Sequence, residues 1–323
     1  MRFLASTNHE NLSELWIVGI SGLFLGSCAV RAVAAPPDPT EALSEIVVRA
    51  PEPRFVAPTR RDRIGRIWAP VVINGRGPFR LVLDTGASRS AINAQVAGSL
   101  GLSPDPSRSV LLRGVTGTIT VPAVRAESFA VGDVIQTPET LPIVTDALGG
   151  AEGVLGTEAL GGMRVYIDFQ HDTITIARSH RERAPAGFVS IPFERSPEHL
   201  LVVRAQVGGV PVRAIIDTGG QATIGNEAMR AALVRRRAHG IANHVIDVTT
   251  TSQDAEAFLS PPIELGPIAI QAARITYGDM SIFAYWHLTR EPTLLIGMDV
   301  IGLLNVLIID YARREIQVRL RSN

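Results

Sequence analysis

One stretch of the sequence occurs twice, and this repeat constrains the fold more than any other feature of the chain. Residues 71–86 contain an apolar strand, an Asn-Gly turn and a second apolar strand, and they end in Asp-Thr-Gly. Residues 203–219 follow the same order with a Gly-Gly turn. Turns of this kind connect the strands of β-hairpins. The repeat therefore predicts two similar structural units in one chain.

The similarity between the two copies continues after the hairpins. Residues 153–158 resemble residues 294–299, and both segments place two apolar residues before a glycine. Residues 165–169 likewise resemble residues 307–311. Most other segments are short, β-rich and bounded by turns. The sequence therefore predicts a mainly β fold with two homologous lobes.

The repeat also divides the chain. The N-terminal lobe is predicted at residues 63–179 and the C-terminal lobe at residues 187–321, with a charged connection between them. A short helix is expected after each Asp-Thr-Gly sequence, near residues 93–100 and near residues 226–239. Each of these helices begins at an asparagine, which is a favourable N-cap residue.

The first 35 residues (1–35) are predicted to be a targeting segment. Residues 15–30 form an uncharged apolar run that suits a signal-peptide core, and the small residues Ala32-Val33-Ala34 that follow suit a signal peptidase. The preceding Leu-Gly-Ser-Cys sequence also resembles a lipobox, in which Cys28 would carry a lipid anchor. Both alternatives predict an exported protein, periplasmic or extracellular. Residues 36–62 are rich in proline and are predicted to be a linker or a poorly ordered arm.

Composition argues against several other classes of protein. The 31 Lys and Arg residues balance the 31 Asp and Glu residues, so no basic surface for nucleic acid is expected. Cys28 is the only cysteine, so the rest of the chain can form neither a disulfide nor a cysteine metal site. The seven histidines show no metal-ligand spacing. We therefore expect neither a metal nor an organic cofactor.

The two Asp-Thr-Gly sequences indicate a catalytic site. Asp84 and Asp217 each follow an apolar strand, so a two-fold arrangement of the lobes would bring both carboxylates together at the lobe interface. Two adjacent carboxyls that share one proton can activate a water molecule and also protonate the substrate. The following threonines can bond to the opposite loop, and the glycines allow tight turns beside the carboxylates. These supporting residues are Thr85, Gly86, Thr218 and Gly219.

The alternative is that both aspartates only stabilise turns, as Asp often does. That interpretation does not explain why each Asp-Thr-Gly sequence follows an apolar strand and is itself followed by the same apolar-apolar-Gly sequence.

At these residues the chain resembles the aspartic peptidases. Each half is similar to a retropepsin-like unit, most closely at residues 83–88, Leu-Asp-Thr-Gly-Ala-Ser. The tandem order is similar to the bilobal arrangement of pepsin-type enzymes. The resemblance covers residues 63–321 and implies an endopeptidase that cleaves a polypeptide between two β-barrel lobes, with Asp84 and Asp217 as the catalytic residues. Because both halves lie in one chain, we expect a monomer.

The resemblance further implies that residues 154–156 and 295–297 pack beneath the catalytic loops, and that a β-hairpin flap covers the substrate. In the first half the candidate flap is residues 111–122, and residues 247–258 occupy a similar place in the second half. The residues predicted to contact substrate at the tip of the first flap are Gly114, Val115, Thr116 and Gly117.

Two positions depart from the pattern of the pepsins, because Ala87 and Gly220 stand where pepsins usually have Ser or Thr. Alanine is common at this place in retropepsin-like enzymes, whereas Gly220 is less usual and removes a hydroxyl group from the neighbourhood of Asp217. From this departure we predict activity in the mildly acidic to near-neutral range. It also leaves open the alternative of a catalytically weak or inactive peptide-binding envelope protein of the same fold.

Overall fold

The structure, a computed structural model, describes residues 55–58, 65–136, 139–145, 149–233, 240–278 and 280–321. The predicted targeting segment with Cys28, and most of the predicted arm, lie outside the described residues. The described residues all belong to one compact unit.

The fold is mainly β, as the sequence predicts. The strands of the first half are β1 (Phe55–Pro58), β2 (Trp68–Ile73), β3 (Arg76–Leu83), β4 (Ala91–Asn93), β5 (Asp105–Arg113), β6 (Thr118–Ala126), β7 (Phe129–Val131), β8 (Val134–Gln136), β9 (Glu139–Val144), β10 (Gly153–Leu155), β11 (Met163–Asp168) and β12 (Thr173–Arg178). Those of the second half are β13 (Val189–Pro192), β14 (Glu194–Arg195), β15 (Leu201–Val207), β16 (Val210–Ile216), β17 (Ile224–Gly225), β18 (Ile241–Ile246), β19 (Ser252–Leu259), β20 (Ile263–Leu265), β21 (Ile268–Ile270), β22 (Arg274–Tyr277), β23 (Thr293–Ile296), β24 (Leu304–Asp310) and β25 (Glu315–Leu320). The helices are α1 (Ala94–Ser99), α2 (Glu227–Leu233), α3 (Ser281–Tyr285), α4 (Met298–Ile301) and a 3₁₀ turn (Thr157–Leu160).

The two lobes have matching sheets. The strand order is β5-β6-β9-β4-β10-β3-β2-β7-β8 in the first lobe and β18-β19-β22-β17-β23-β16-β15-β20-β21 in the second. The strand that precedes each Asp-Thr-Gly sequence, β3 or β16, is flanked by its hairpin partner and by a parallel strand, β10 or β23. This correspondence confirms the predicted two homologous lobes.

A third sheet joins the lobes. Its order is β1-β12-β11-β24-β25-β13, so the hairpin that ends each lobe pairs with its counterpart, and Val165 lies opposite Ile309. Strand β1 lies within the segment 36–62 that was predicted to be a linker or arm, so at Phe55–Pro58 that prediction is wrong. The reason is that β12 would otherwise leave its edge N–H and C=O groups unpaired, and β1 pairs with them.

Both predicted helices begin where expected. The Asn93 side chain accepts a hydrogen bond from the N–H of Val96 at 2.9 Å and caps α1. The Asn226 side chain accepts from the N–H of Met229 at 2.9 Å at the start of α2, which is described as far as Leu233. The rest of the predicted second helix lies outside the described residues. No helix in the described part of the chain has the length and apolarity needed to cross a bilayer.

Candidate active site

Asp84 and Asp217 each follow the last residue of a buried central strand. The N–H of Asp84 donates to the carbonyl oxygen of Leu155 at 3.0 Å, and the N–H of Asp217 donates to that of Ile296 at 3.0 Å. Strands β10 and β23 therefore support the first peptide of each loop. The predicted apolar-apolar-Gly segments lie directly against the two loops.

The two carboxylates meet across the lobe interface. A Cβ atom added to Gly219 would lie 2.2 Å from Cγ of Asp84, and one added to Gly86 would lie 2.8 Å from Oδ1 of Asp217. Each carboxylate thus lies against the glycine of the opposite loop. Any side chain at either glycine would displace a carboxylate, so the close approach of the two groups requires glycine.

Backbone N–H groups hold one oxygen of each carboxylate. Oδ1 of Asp84 accepts hydrogen bonds from the N–H groups of Gly86 at 2.8 Å and Ala87 at 3.0 Å. Oδ1 of Asp217 accepts equivalent bonds, at 3.0 and 2.9 Å, from the second and third residues after it. Each loop therefore fixes the carboxylate of its own aspartate through two backbone N–H groups.

Gly220, the departure noted in the sequence, adjoins this pair. A Cβ atom added to Gly220 would lie 2.7 Å from Oδ2 of Asp217. A side chain at this position would therefore press on the carboxylate unless the loop moved. Compared with the Ser or Thr usual in pepsins, Gly220 therefore both lacks a hydroxyl group and leaves space beside the Asp217 carboxylate.

The environment raises the pKa of both aspartates. Burial, and then the charge of Asp217, raise the pKa of Asp84. Burial also raises the pKa of Asp217, while the N–H bonds from Gly220 and Gly219 and a hydrogen bond with Asp84 oppose that rise. Two like charges this close are not readily ionised together, so the raised pKa values favour a pair that keeps one proton. Because the two carboxyl groups interact strongly, the two pKa values describe the pair as a whole and not one aspartate each.

The two threonines link the loops to each other. The hydroxyl of Thr85 donates to the carbonyl oxygen of Ile216 at 2.5 Å, and the hydroxyl of Thr218 donates to that of Leu83 at 2.6 Å. Each hydroxyl also accepts the N–H of the other threonine at 3.1 Å. Both side chains are fully buried. These four reciprocal bonds fix the position of one loop relative to the other.

Arg66 also acts on the pair, and sequence reasoning missed it. Its charge lowers the pKa of both aspartates, although burial outweighs this effect. Arg66 precedes β2 without any recognisable motif, so no sequence signal could have identified it. Among the residues that the structure describes, no three His, Cys, Asp or Glu side chains are grouped so as to hold a metal ion.

A polar cavity of about 510 Å³ opens between the lobes beside the first loop. Its lining residues are Ser88, Arg89, Glu139 and Glu158 from the first lobe and Pro197, Glu198, His199 and Tyr285 from the second. Ser88 and Arg89, which follow the first Asp-Thr-Gly sequence, belong to this lining, so the cavity adjoins the segment after that loop.

The predicted flap residues form the turn of a hairpin. Gly114, Val115, Thr116 and Gly117 connect β5 to β6, and the N–H of Gly114 donates to the carbonyl oxygen of Gly117 at 2.8 Å. The second predicted flap, residues 247–258, contains the turn between β18 and β19 and most of β19. The two hairpins occupy equivalent places in the two lobes.

The shared proton predicts how stability depends on pH. The folded-state pKa of Asp84 is raised above 3.8, so the folded protein binds more protons than the unfolded chain above that pH, and its stability falls as pH rises toward neutrality. Asparagine cannot ionise. We therefore expect Asp84→Asn to melt a few degrees above wild type at about pH 7.5 and close to it at about pH 4. Thermal unfolding at both pH values measures this, and parallel pH dependence in the two proteins would contradict it.

A comparison with known families agrees with this geometry. A family model described as aspartyl protease matches the chain twice, at residues 69–159 and at residues 203–300. Each match contains one Asp-Thr-Gly loop, one hairpin of the flap type and one apolar-apolar-Gly segment. The two matches together cover more than half of the chain. No curated protein shows significant similarity to it.

Proposed function

The chain belongs to the aspartyl protease family, and on that premise we propose that it is an endopeptidase in which Asp84 and Asp217 activate one water molecule. One observation carries the proposal: the carboxylates of Asp84 and Asp217 each lie against the glycine of the opposite loop across the lobe interface, in surroundings that raise the pKa of both. This is the arrangement that water-dependent hydrolysis of an amide needs.

The proposed reaction uses both protonation states at once. Ionised Asp217 accepts a proton from the water as its oxygen attacks the carbonyl carbon of the substrate. Protonated Asp84 donates its proton to the carbonyl oxygen, which gives a tetrahedral diol. As the diol collapses, Asp217 gives the proton that it took from the water to the nitrogen of the scissile bond, ionised Asp84 accepts a proton from one hydroxyl of the diol, and the C–N bond breaks. The products are a carboxylic acid and an amine, and the dyad again holds one proton.

We propose an extended polypeptide as the substrate. The polar cavity lies between the lobes and adjoins the loop of Asp84, so a chain that crosses the interface would pass both carboxylates. An extended segment presents its backbone groups and alternating side chains to such a cleft.

We also propose that the protein is exported and monomeric. Export is inferred from the apolar run at residues 15–30, and the monomeric state from the presence of both halves in one chain. Mass analysis of the mature protein distinguishes the two forms of export. A chain that begins near residue 35 would support cleavage of a signal peptide, and a lipid on an N-terminal Cys28 would support membrane anchoring. A mature chain that retains residues 1–35 would contradict both.

The pH dependence of cleavage tests the proposed function. Since the pKa of each aspartate is raised, the singly protonated pair should persist toward neutrality, and the rate should fall where the pair gains a second proton or loses its last one. We expect a bell-shaped profile with its maximum in the mildly acidic to near-neutral range. The measurement is cleavage of a reduced, unfolded protein from about pH 3 to 8, with new N-termini identified by mass spectrometry. A maximum below about pH 3 would contradict the pKa argument, and no cleavage at any pH would contradict a peptidase.

A further inference from the structure

The turns of the two hairpins bond to each other across the lobe interface. The first hairpin turn is residues 114–117 and the second hairpin turn is residues 247–251. The N–H of Thr116 donates to Oδ2 of Asp247 at 2.7 Å, and the hydroxyl of Thr116 donates to the carbonyl oxygen of Thr251 at 2.8 Å. Thr116 is buried by this contact. The two turns therefore form a specific polar junction.

The carboxylate of Asp247 is oriented by its own turn. Its Oδ1 atom accepts the N–H of Thr249 at 2.8 Å and the hydroxyl of the same residue at 2.5 Å. Aspartate commonly bonds to the backbone two residues further on in this way. With Oδ1 held inside the second turn, Oδ2 points toward the first turn and receives the N–H of Thr116.

Gly114 is required for this approach. A Cβ atom added to Gly114 would lie 1.9 Å from Oδ2 of Asp247. Gly114 is not among the glycines with positive φ, so other residues could adopt its backbone conformation. Its role is therefore to leave space, and the space is filled by the Asp247 carboxylate.

The repeat shows that this junction is asymmetric. Gly114 lies 30 residues after Asp84, and Asp247 lies 30 residues after Asp217, so the two residues occupy equivalent positions in the two copies. Identical copies would place either two carboxylates or none at the junction. Two carboxylates would repel each other, and two glycines would leave no acceptor for the N–H of Thr116. Divergence between the tandem copies allows a single carboxylate to face a glycine.

Neighbouring contacts of the two turns are similar, although the carbonyl oxygen of Val115 also accepts the N–H of Ile282 at 3.2 Å. The carbonyl oxygen of Val115 accepts the hydroxyl of Ser281 in the second lobe at 3.3 Å. The carbonyl oxygen of Val248 accepts the hydroxyl of Thr145 in the first lobe at 3.4 Å. Each turn thus reaches the opposite lobe in the same way, and the Asp247 carboxylate adds a bond that the repeat alone would not produce.

The side chains at the tips pack against the apolar clusters of the opposite lobes. Val248 packs against the apolar cluster of the first lobe, which Ala87 also contacts, and the N–H of Ala87 bonds Asp84. Val115 packs against the apolar cluster of the second lobe, which includes Ile215 of the strand before Asp217. Each tip therefore shares an apolar cluster with residues close to one of the two aspartates.

We propose that Asp247 is a positioning residue that latches the two hairpin turns to each other across the lobe interface and so helps to retain a polypeptide bound at that interface. The proposal rests on the proposed function for its kinetic consequence, whereas the latch itself can be measured without any cleavage. The latch has to open when a polypeptide enters and to re-form over it. Asp247 then helps to retain the bound substrate, whereas Asp84 and Asp217 carry out the hydrolysis.

Hydrogen exchange tests the latch directly. In Asp247→Ala the N–H of Thr116 loses its acceptor, so we expect its exchange to accelerate about tenfold or more. The matched control is Asp254→Ala, which removes the same charge from the same hairpin at an exposed side chain that pairs with His244. This control should leave the exchange of Thr116 unchanged. Equal exchange in wild type and Asp247→Ala would overturn the latch whether or not the protein cleaves any substrate.

A swap of the two residues provides a rescue. Gly114→Asp combined with Asp247→Gly moves the carboxylate to the equivalent position, where it should accept the N–H of Thr249. We expect the double variant to slow the exchange of Thr249 relative to Asp247→Gly alone. A folded double variant in which Thr249 exchanges as fast as in Asp247→Gly would overturn the geometric argument.

The kinetic test separates retention of substrate from chemistry. For a peptide substrate, we expect Asp247→Ala to raise KM about tenfold and to leave kcat within about twofold of wild type. Glu194→Ala, which removes a carboxylate from an exposed pair with Arg204 outside both hairpins, should change neither value. A fall in kcat at unchanged KM would overturn the retention role, even if hydrogen exchange supports the latch. If wild type cleaves nothing, the proposed function fails and the exchange results still decide the latch.

Discussion

Replacement of either dyad aspartate by asparagine is expected to abolish peptide hydrolysis. In Asp84→Asn the pair lacks the carboxylic acid that protonates the carbonyl oxygen, and in Asp217→Asn it lacks the base that accepts the proton of water. Positioned acids and bases each contribute about 10²- to 10⁴-fold in rate. Because one proton serves both roles, we expect at least about a 10³-fold loss in kcat/KM from either substitution.

The double variant should be no less active than the single variants, because residues that act as one unit have non-additive effects. The measurement is the rate of appearance of new N-termini from an unfolded protein, with wild type and Glu194→Gln prepared in the same way. Glu194 is exposed on β14, outside both hairpins, and its side chain pairs with Arg204. Full activity in either single dyad variant would show that the proposed mechanism is wrong.

The structure predicts that these losses will not come from unfolding. The amide oxygen of an asparagine can still accept the two backbone N–H bonds that now hold Oδ1 of Asp84, and the same is true at Asp217. The hydrogen exchange of Thr116 in the latch should also remain slow. Loss of activity with an intact latch would assign the effect to the shared proton.

Much of the fold could be predicted from the sequence because its main signals are local and occur twice. The apolar strands before Asp84 and Asp217, and the asparagine caps at Asn93 and Asn226, depend on residues close together in the chain. Comparison of the two copies then predicts that the lobes correspond. The close approach of the two Asp-Thr-Gly loops follows from that two-fold arrangement.

The parts that were not predicted depend on partners distant in the chain. Strand periodicity does not specify that β11 pairs with β24, where Arg164 forms a buried 2.8 Å ion pair with Asp310. The junction of Asp247 with Thr116 spans 131 residues, and an aspartate in a turn gives no sign of such a partner. Alignment of the two copies places Gly114 opposite Asp247, but only the structure shows that the two residues meet.

Removal of one threonine hydroxyl beneath the dyad is expected to destabilise the whole protein. Thr218→Val keeps the shape of the side chain but leaves the carbonyl oxygen of Leu83 and the N–H of Thr85 without this partner. Both groups lie in a buried part of the interface, and each unsatisfied group costs about 1–3 kcal/mol. We therefore expect the free energy of unfolding to fall by about 2–6 kcal/mol. Denaturant unfolding of wild type, Thr218→Val and Thr218→Ser measures this.

Thr218→Ser is the matched control, because it retains the hydroxyl and loses only a methyl group. It should preserve most of the stability and the activity.

The double variant Thr85→Val with Thr218→Val should lose less free energy of unfolding than the sum of the losses of the two single variants, because the threonines share their bonds. In conditions where Thr218→Val is still folded, its kcat should also fall, since the bonds that fix one aspartate loop against the other are weakened. If Thr218→Val is as stable and as active as Thr218→Ser, packing alone positions the dyad, and the reciprocal threonine bonds are not required.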